Sequence, residues 1–305
     1  MKMGRKDKLF FFSLIPFSLS LLAILTITVS LLATKSIESL KAFGLSLFTS
    51  SIWDPEHGRY GFLAALAGSI ITSMLATLTT LALSTPLAIL IAEYLHGLAR
   101  DFISSIVELM SGTPTIIYAM WASTYFAPIL KTYVMDPLST YLSFIPIFSC
   151  RPITAFTVFT AGVAIGISIT PYVTAMVIES YQSIPVAFKE ACLGMGATRY
   201  ETIKILLSLT KPAILASTIL GFARALGETT IAVTTVGNLM YLSTCIFSPG
   251  YTVSAIIASQ FGNAYLYRYA ESALYASALV VLAVAVVLSF VGISIMSRWR
   301  RRVVV

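Results

Sequence analysis

Long apolar runs separated by short polar stretches dominate this chain. Six of them, residues 10–33, 66–94, 102–128, 155–178, 213–236 and 272–296, are long enough to cross a bilayer. A hydrocarbon core about 30 Å thick takes about 20 helical residues to span. Val, Ile and Ala crowd together in these runs, whereas lipid-facing strands would alternate apolar with polar positions. The pattern predicts an all-α integral membrane protein of six transmembrane helices. Pro86 kinks the second run, Ser111-Gly112-Thr113-Pro114 interrupts the third, and Thr170-Pro171 bends the fourth. Gly162 and Gly166, four apart, suit close packing of helix backbones, and packing is the default reading of the Ser/Thr-rich second run as well. The first run follows a basic start but exceeds the 7–15 apolar residues of a secretory signal core, so it reads as an uncleaved span.

Composition agrees: 57% of residues are hydrophobic and only 11% are charged, which excludes an ordinary soluble surface. The net charge of +7 could point to nucleic acid, but its distribution does not. With the N-terminus inside, thirteen of the 20 basic residues fall in inner segments and six in outer ones. That is the bias of a membrane protein with both termini cytosolic. Three parts result. Residues 1–65 hold the tail, first helix and outer loop, residues 66–297 the core of five helices, and residues 298–305 a basic cytosolic tail. Cys192 falls inside, while Cys150 and Cys245 both fall near the outer face, where a disulfide is permitted. His57 and His96 are isolated and metal-ligand spacing is lacking, so no metal is expected.

Two stretches carry candidate chemistry. The first is the polar loop 179–212, with Lys189, Arg199, Lys204 and Lys211. Pro185 can start a short helix containing Glu190, Gly194 and Gly196 can turn the chain, and a second helix over 198–207 can run back. Such a hairpin either faces a partner or merely connects two spans. The second stretch lies in the fifth run, where Arg224 and Glu228 sit near the bilayer centre. A central Arg costs about 2.5–3.5 kcal/mol even on the lenient insertion scale, so these groups should face the bundle interior. A spacing of four puts them on one helix face, about 6 Å apart along the axis. They either neutralise each other as an ion pair, or Arg224 offers its planar donors to a passing oxyanion while Glu228 orients it. Glu108, in the third run, is expected to reach the cytosolic interface.

Glu190-Ala191-Cys192, three residues and Gly196 resemble the EAA–x3–G motif of ABC importer permeases. Cys192 stands where a second Ala is usual, and the closing Pro is absent. FGLSLFTSSIWDPEHGRYG at 43–61 and GTPTIIYAMWA at 112–122 are similar to the phosphate branch of that family. So are ARALGETT at 223–230, Gly237-Asn238, and FSPGY at 247–251 followed by Ile256-Ile257-Ala258. The resemblance implies the type I importer permease (MetI-like) fold in a plasma membrane. It assigns Pro185, Glu190, Ala191, Gly196 and Arg199 to coupling with an ATPase through residues 184–205. It assigns Arg224, Glu228 and Thr229 to the substrate pathway. It further implies a complex with a homologous second permease, two ATP-binding subunits and an extracytoplasmic phosphate-binding protein. No GxxxxGK[ST] loop is present, so no cofactor is expected on this chain, ATP and Mg belong to the partner ATPase, and the chain is no enzyme itself. The rival readings are a permease of the same type for sulfate, molybdate or tungstate, and an ion-coupled secondary transporter.

Overall fold

The computed structural model describes residues 5–303, with the side chains of residues 10 and 12–303. Lys2, the side chains of Arg5, Lys6 and Lys8, and residues 304–305 lie outside that range. Among the described residues, five unbroken helices are long and apolar enough to cross a membrane. They are α1 (Arg5–Phe43), α2 (Leu63–Ile89, extended by a π-turn Leu90–Tyr94), α5 (Val158–Gln182), α7 (Arg199–Leu226) and α10 (Ala270–Val303). A sixth crossing is broken: α3 (Gly97–Gly112) bends by 95° into a helical run that starts at α4 (Thr115–Trp121) and ends at Tyr141. The shorter pieces are α6 (Val186–Gly194), α8 (Thr230–Thr235) and α9 (Val253–Gln260).

The bend falls at Thr113-Pro114, where the interruption of the third span was expected. Pro114 has no N–H to donate and drives Thr113 into extended backbone, so α3 must stop. The Thr113 and Tyr118 hydroxyls then donate to the carbonyls of Leu109 and Met110, both at 2.9 Å, covering the freed helix end. Residues 128–141, beyond the expected end of the third span, are helical as well. A π-turn precedes each proline there, Ala122–Phe126 before Pro128 and Lys131–Met135 before Pro137, and the wider turn absorbs the missing donor. Helix α1 runs ten residues past the expected end of the first span, and residues 298–303 of the basic tail are part of α10.

The core is built on α2, α5 and α7. Where α2 crosses α5 the backbones nearly touch: a Cβ on Gly166 would stand 2.6 Å from Thr79 Cβ and 2.7 Å from the Ala76 carbonyl oxygen. Thr80 Oγ1 donates to the Gly166 carbonyl at 2.9 Å, and Ser69 Oγ accepts from the Val253 amide at 2.8 Å. These hydroxyls of α2 therefore join helices. By contrast α1 leaves Phe10, Phe17, Leu21 and Ile24 exposed along its length, as a lipid-facing helix does. It is tied to α10 near one end, where Ser272 Oγ donates to the Lys35 carbonyl at 2.7 Å. At that same end, Leu47 and Phe62 are buried under a β-hairpin of β1 (Trp53–Asp54) and β2 (Arg59–Tyr60), and a disulfide joins Cys150 to Cys245. At the opposite end Trp299 Nε1 donates to the Leu209 carbonyl at 2.7 Å, and Arg300 pairs with Glu179 at 2.6 Å. The end of α10 therefore lies beside the turn between α5 and α7.

Candidate functional site

Helix α7 ends two residues after Arg224. Gly227 caps it, and the Gly227 and Glu228 amides bond back to the carbonyls of Arg224 and Ala225, each at 3.2 Å. A glycine favours such a stop because it has little to gain from remaining helical. Glu228 and Thr229 thus stand in a break between α7 and α8, not on the helix face that carries Arg224. This corrects the sequence expectation of one continuous span over 213–236. No ion pair joins Arg224 to Glu228; the four ion pairs among the described residues lie elsewhere. Glu228 is half-buried among the hydroxyl-bearing residues Ser69, Thr72 and Ser73 of α2 and Thr252 and Ser254 at the start of α9. Its carbonyl accepts from Ser254 Oγ at 2.8 Å. Thr229 is half-buried, and its hydroxyl bonds the Gly227 carbonyl at 3.3 Å.

Arg224 instead lies over an aromatic ring, its Cζ 4.9 Å from the centre of Tyr172 on α5. Tyr172 is ten residues from Gln182 at the end of α5, or about 15 Å along the helix, half of a bilayer core. The exposed guanidinium therefore stands at mid-depth, with its polar edge free and one face on the ring. The second broken helix meets this place: Thr115, the first residue of α4, has its hydroxyl 3.5 Å from that of Thr230, the first residue of α8. Non-helical backbone at membrane depth is tolerated where protein covers it or where it borders a water-filled cavity. A cavity of about 450 Å³ does open between α2, α3 and α5, from Pro171 down to Gln182. Arg100, Ser104 and Glu108 line its α3 wall and Glu179 its α5 wall. Glu108, expected at the interface, faces this cavity.

The turn between α5 and α7 takes the hairpin form expected of it. Pro185 caps α6, Gly196 turns the chain with φ +84°, and Thr198 starts α7 with a capping box in which its hydroxyl and Glu201 satisfy each other's backbone amides. Only residues 183–185 and 195–198 of the expected loop 179–212 are non-helical. Pro212 lies inside α7, so the returning helix and the fifth span are one element. Pro185, Glu190, Ala191 and Gly196 are exposed, next to exposed Val186, Phe188, Leu193 and Met195. Arg199 is directed elsewhere: it donates to the Glu93 carbonyl and lies 4.8 Å over the Tyr94 ring, at the end of α2. Sequence reading missed Tyr172 and Glu93, since nothing local distinguishes one mid-span tyrosine or one helix-end glutamate from its neighbours.

Residues 84–305 match the family model described as "Binding-protein-dependent transport system inner membrane component". The chain belongs to this family. Among curated relatives, a probable phosphate transport system permease protein PstC of Methanocaldococcus jannaschii is 38% identical over 273 residues, 88% of this chain and 87% of that protein. A phosphate transport system permease protein PstC of Xylella fastidiosa is 32% identical over 232 residues, 74% of this chain and 71% of that one. In fold, the permease is similar to a chain of the MetNI methionine ABC transporter in an inward-facing crystal structure, with TM-score 0.57 at 14% identity, covering 81% of this chain and 99% of the other. The family match begins at residue 84, inside α2, so it leaves out α1 and the β1–β2 hairpin and includes the broken helices, the α6 turn and Arg224.

Proposed function

We propose that this permease is a membrane-spanning subunit of an ATP-driven importer that moves inorganic phosphate across the plasma membrane. The observation that carries the reading is the placement of Arg224: a fixed cation at mid-depth, stacked on Tyr172, beside two helix breaks and above an open cavity. A passing oxyanion is met there by planar donors matched to its geometry. Conduction also requires that it leave again. Glu228, near enough for its charge to act against an anion yet not tied to Arg224, opposes tight binding. The names of the curated relatives support phosphate as the anion.

The α6 turn and both chain ends face the cytosol in this reading, consistent with the basic residues on that side. ATP binding closes two partner ATPases and displaces α6 through Pro185, Glu190, Ala191 and Gly196. Helices α5 and α7, continuous with that turn, carry Tyr172 and Arg224 with them, so the cation faces outward and inward in alternation. ATP and Mg stay on the ATPase. A second, homologous permease closes the other side of the path, and an extracytoplasmic binding protein delivers the anion. The test is ATP hydrolysis by the reconstituted complex with binding protein loaded in turn with phosphate, sulfate or molybdate. Phosphate alone should stimulate it. Stimulation by another oxyanion keeps the machine and replaces the substrate. Uptake driven by a proton gradient without any ATPase identifies a secondary transporter instead.

A further inference from the structure

Helix α6 is joined by the chain only to α5 and α7, yet its strongest side-chain bond goes to a third helix. Lys189 Nζ donates to both carboxylate oxygens of Glu93, at 2.9 and 2.7 Å. Glu93 sits in the π-turn Leu90–Tyr94 at the inner end of α2, and its side chain is only 5% exposed. The same two-residue step holds the other flank of the turn: the Glu93 carbonyl accepts from the Arg199 guanidinium, which stacks over Tyr94. That carbonyl is one of the helix-end acceptors that have no partner within α2. Little else fixes α6, because Cys192 is its one buried side chain. Glu93 shares a cavity of about 180 Å³ with Lys189, Tyr181 and Pro185, so α6 does not reach α2 through a packed apolar contact there.

A carboxylate this buried is strongly penalised without its partner, so the pair holds one geometry. Its position gives that geometry a use. Helix α2 is locked onto α5 at Gly162 and Gly166, and α5 carries Tyr172 beneath Arg224. A displacement of α6 that reached only α5 and α7 would shear both against α2.

We infer that the Glu93–Lys189 ion pair is a strut that delivers the displacement of α6 to α2, so that α2, α5 and α7 move as one body around Arg224. This inference rests on the transport reading above. Glu93 and Lys189 are positioning residues in it and touch neither the anion nor ATP.

The experiment uses the whole complex in proteoliposomes and measures phosphate moved per ATP hydrolysed. Glu93→Gln removes the charge and leaves Lys189, which is 40% exposed, solvated. The variant should bind the ATPase in normal amounts and keep the hydrolysis rate seen without binding protein. Stimulation by phosphate-loaded binding protein, and phosphate moved per ATP, should each fall at least about five-fold, the lower end of ordinary coupling effects. Loss of stability alone would lower the amount of active complex and leave that ratio unchanged. A second variant carries Glu93→Cys and Lys189→Cys on a Cys192→Ala background with cysteine-free partners. Bridging the two positions with a short bis-maleimide in the membrane, before extraction, should restore the ratio, and it decides the matter even where Glu93→Gln does not assemble. A normal ratio in Glu93→Gln, or no recovery on bridging, overturns the strut. A wild-type complex that phosphate-loaded binding protein fails to stimulate sinks the transport reading itself, which is a separate outcome.

Discussion

Replacing Arg224 with Gln removes one charge from mid-depth and keeps a planar amide close to the same place. An anion 4 Å from a guanidinium gains about 4 kcal/mol at an effective dielectric constant of about 20. Part of that gain only offsets the anion's lost hydration, so a net 3–4 kcal/mol, about 10²–10³ in rate, is the expected loss of phosphate uptake. Arg224→Lys keeps the charge but loses the face that lies 4.9 Å over Tyr172. An exposed Arg–aromatic stack of this kind contributes about 0.5–1 kcal/mol, so Lys should cost about two- to five-fold. The expected order is wild type, then Lys, then Gln, read as uptake of labelled phosphate with saturating loaded binding protein and equal ATPase association. The geometry adds a sharper test. Were Arg224 and Glu228 a self-neutralising pair, Glu228→Gln would rescue Arg224→Gln by removing the orphaned charge. Because the two form no ion pair, the double variant should regain at most the part of uptake that the Glu228 charge opposes and stay well below wild type. Full rescue, or normal uptake by Arg224→Gln, refutes the pathway assignment.

Glu190→Lys reverses the charge on the exposed face of α6 and should abolish co-purification of the ATPase while the permease still inserts; intact association and uptake would remove Glu190 from the contact. Gly166→Leu drives a side chain into Thr79 and the Ala76 carbonyl, and overpacking of this sort costs about 1–3 kcal/mol. The thermal midpoint in detergent should drop by several degrees, and an unchanged midpoint would mean that α2 and α5 separate easily. Removing the disulfide with Cys150→Ser and Cys245→Ser frees a closure of 95 residues, for which chain entropy sets an upper bound of about 4–5 kcal/mol. The effect should fall well below that bound, since membrane helices stay formed on denaturation; a reducing agent should lower the midpoint of the wild type alone.

The spans were legible because an apolar run of 18 or more residues in lipid has one way to satisfy its backbone, and that way is a helix. The start of α7 at Thr198 was legible from the turn residues Gly194 and Gly196, and the structure closes it with a capping box of Thr198 and Glu201. What hydropathy could not convey was where helices stop. It is blind to Gly227, one residue with a weak preference, although that residue decides whether Glu228 shares a face with Arg224. It also overstates Pro212, which in water would end a helix but here lies within one, between α10 at Trp299 and the core. Contacts between distant positions left no trace at all. Tyr172 is 52 residues from Arg224, and Glu93 is 96 from Lys189, so neither pairing has a local pattern to betray it. The motifs could therefore be read along the chain, while the residues that contact Arg224 and Lys189 in the fold could not. Both partners act through helix packing, and packing is fixed by small residues such as Gly162 and Gly166 that look alike wherever they occur. For that reason the substitutions most able to separate transport from mere folding lie on Tyr172 and Glu93, outside every motif, where the chain's chemistry is set by neighbours it meets only in the folded state.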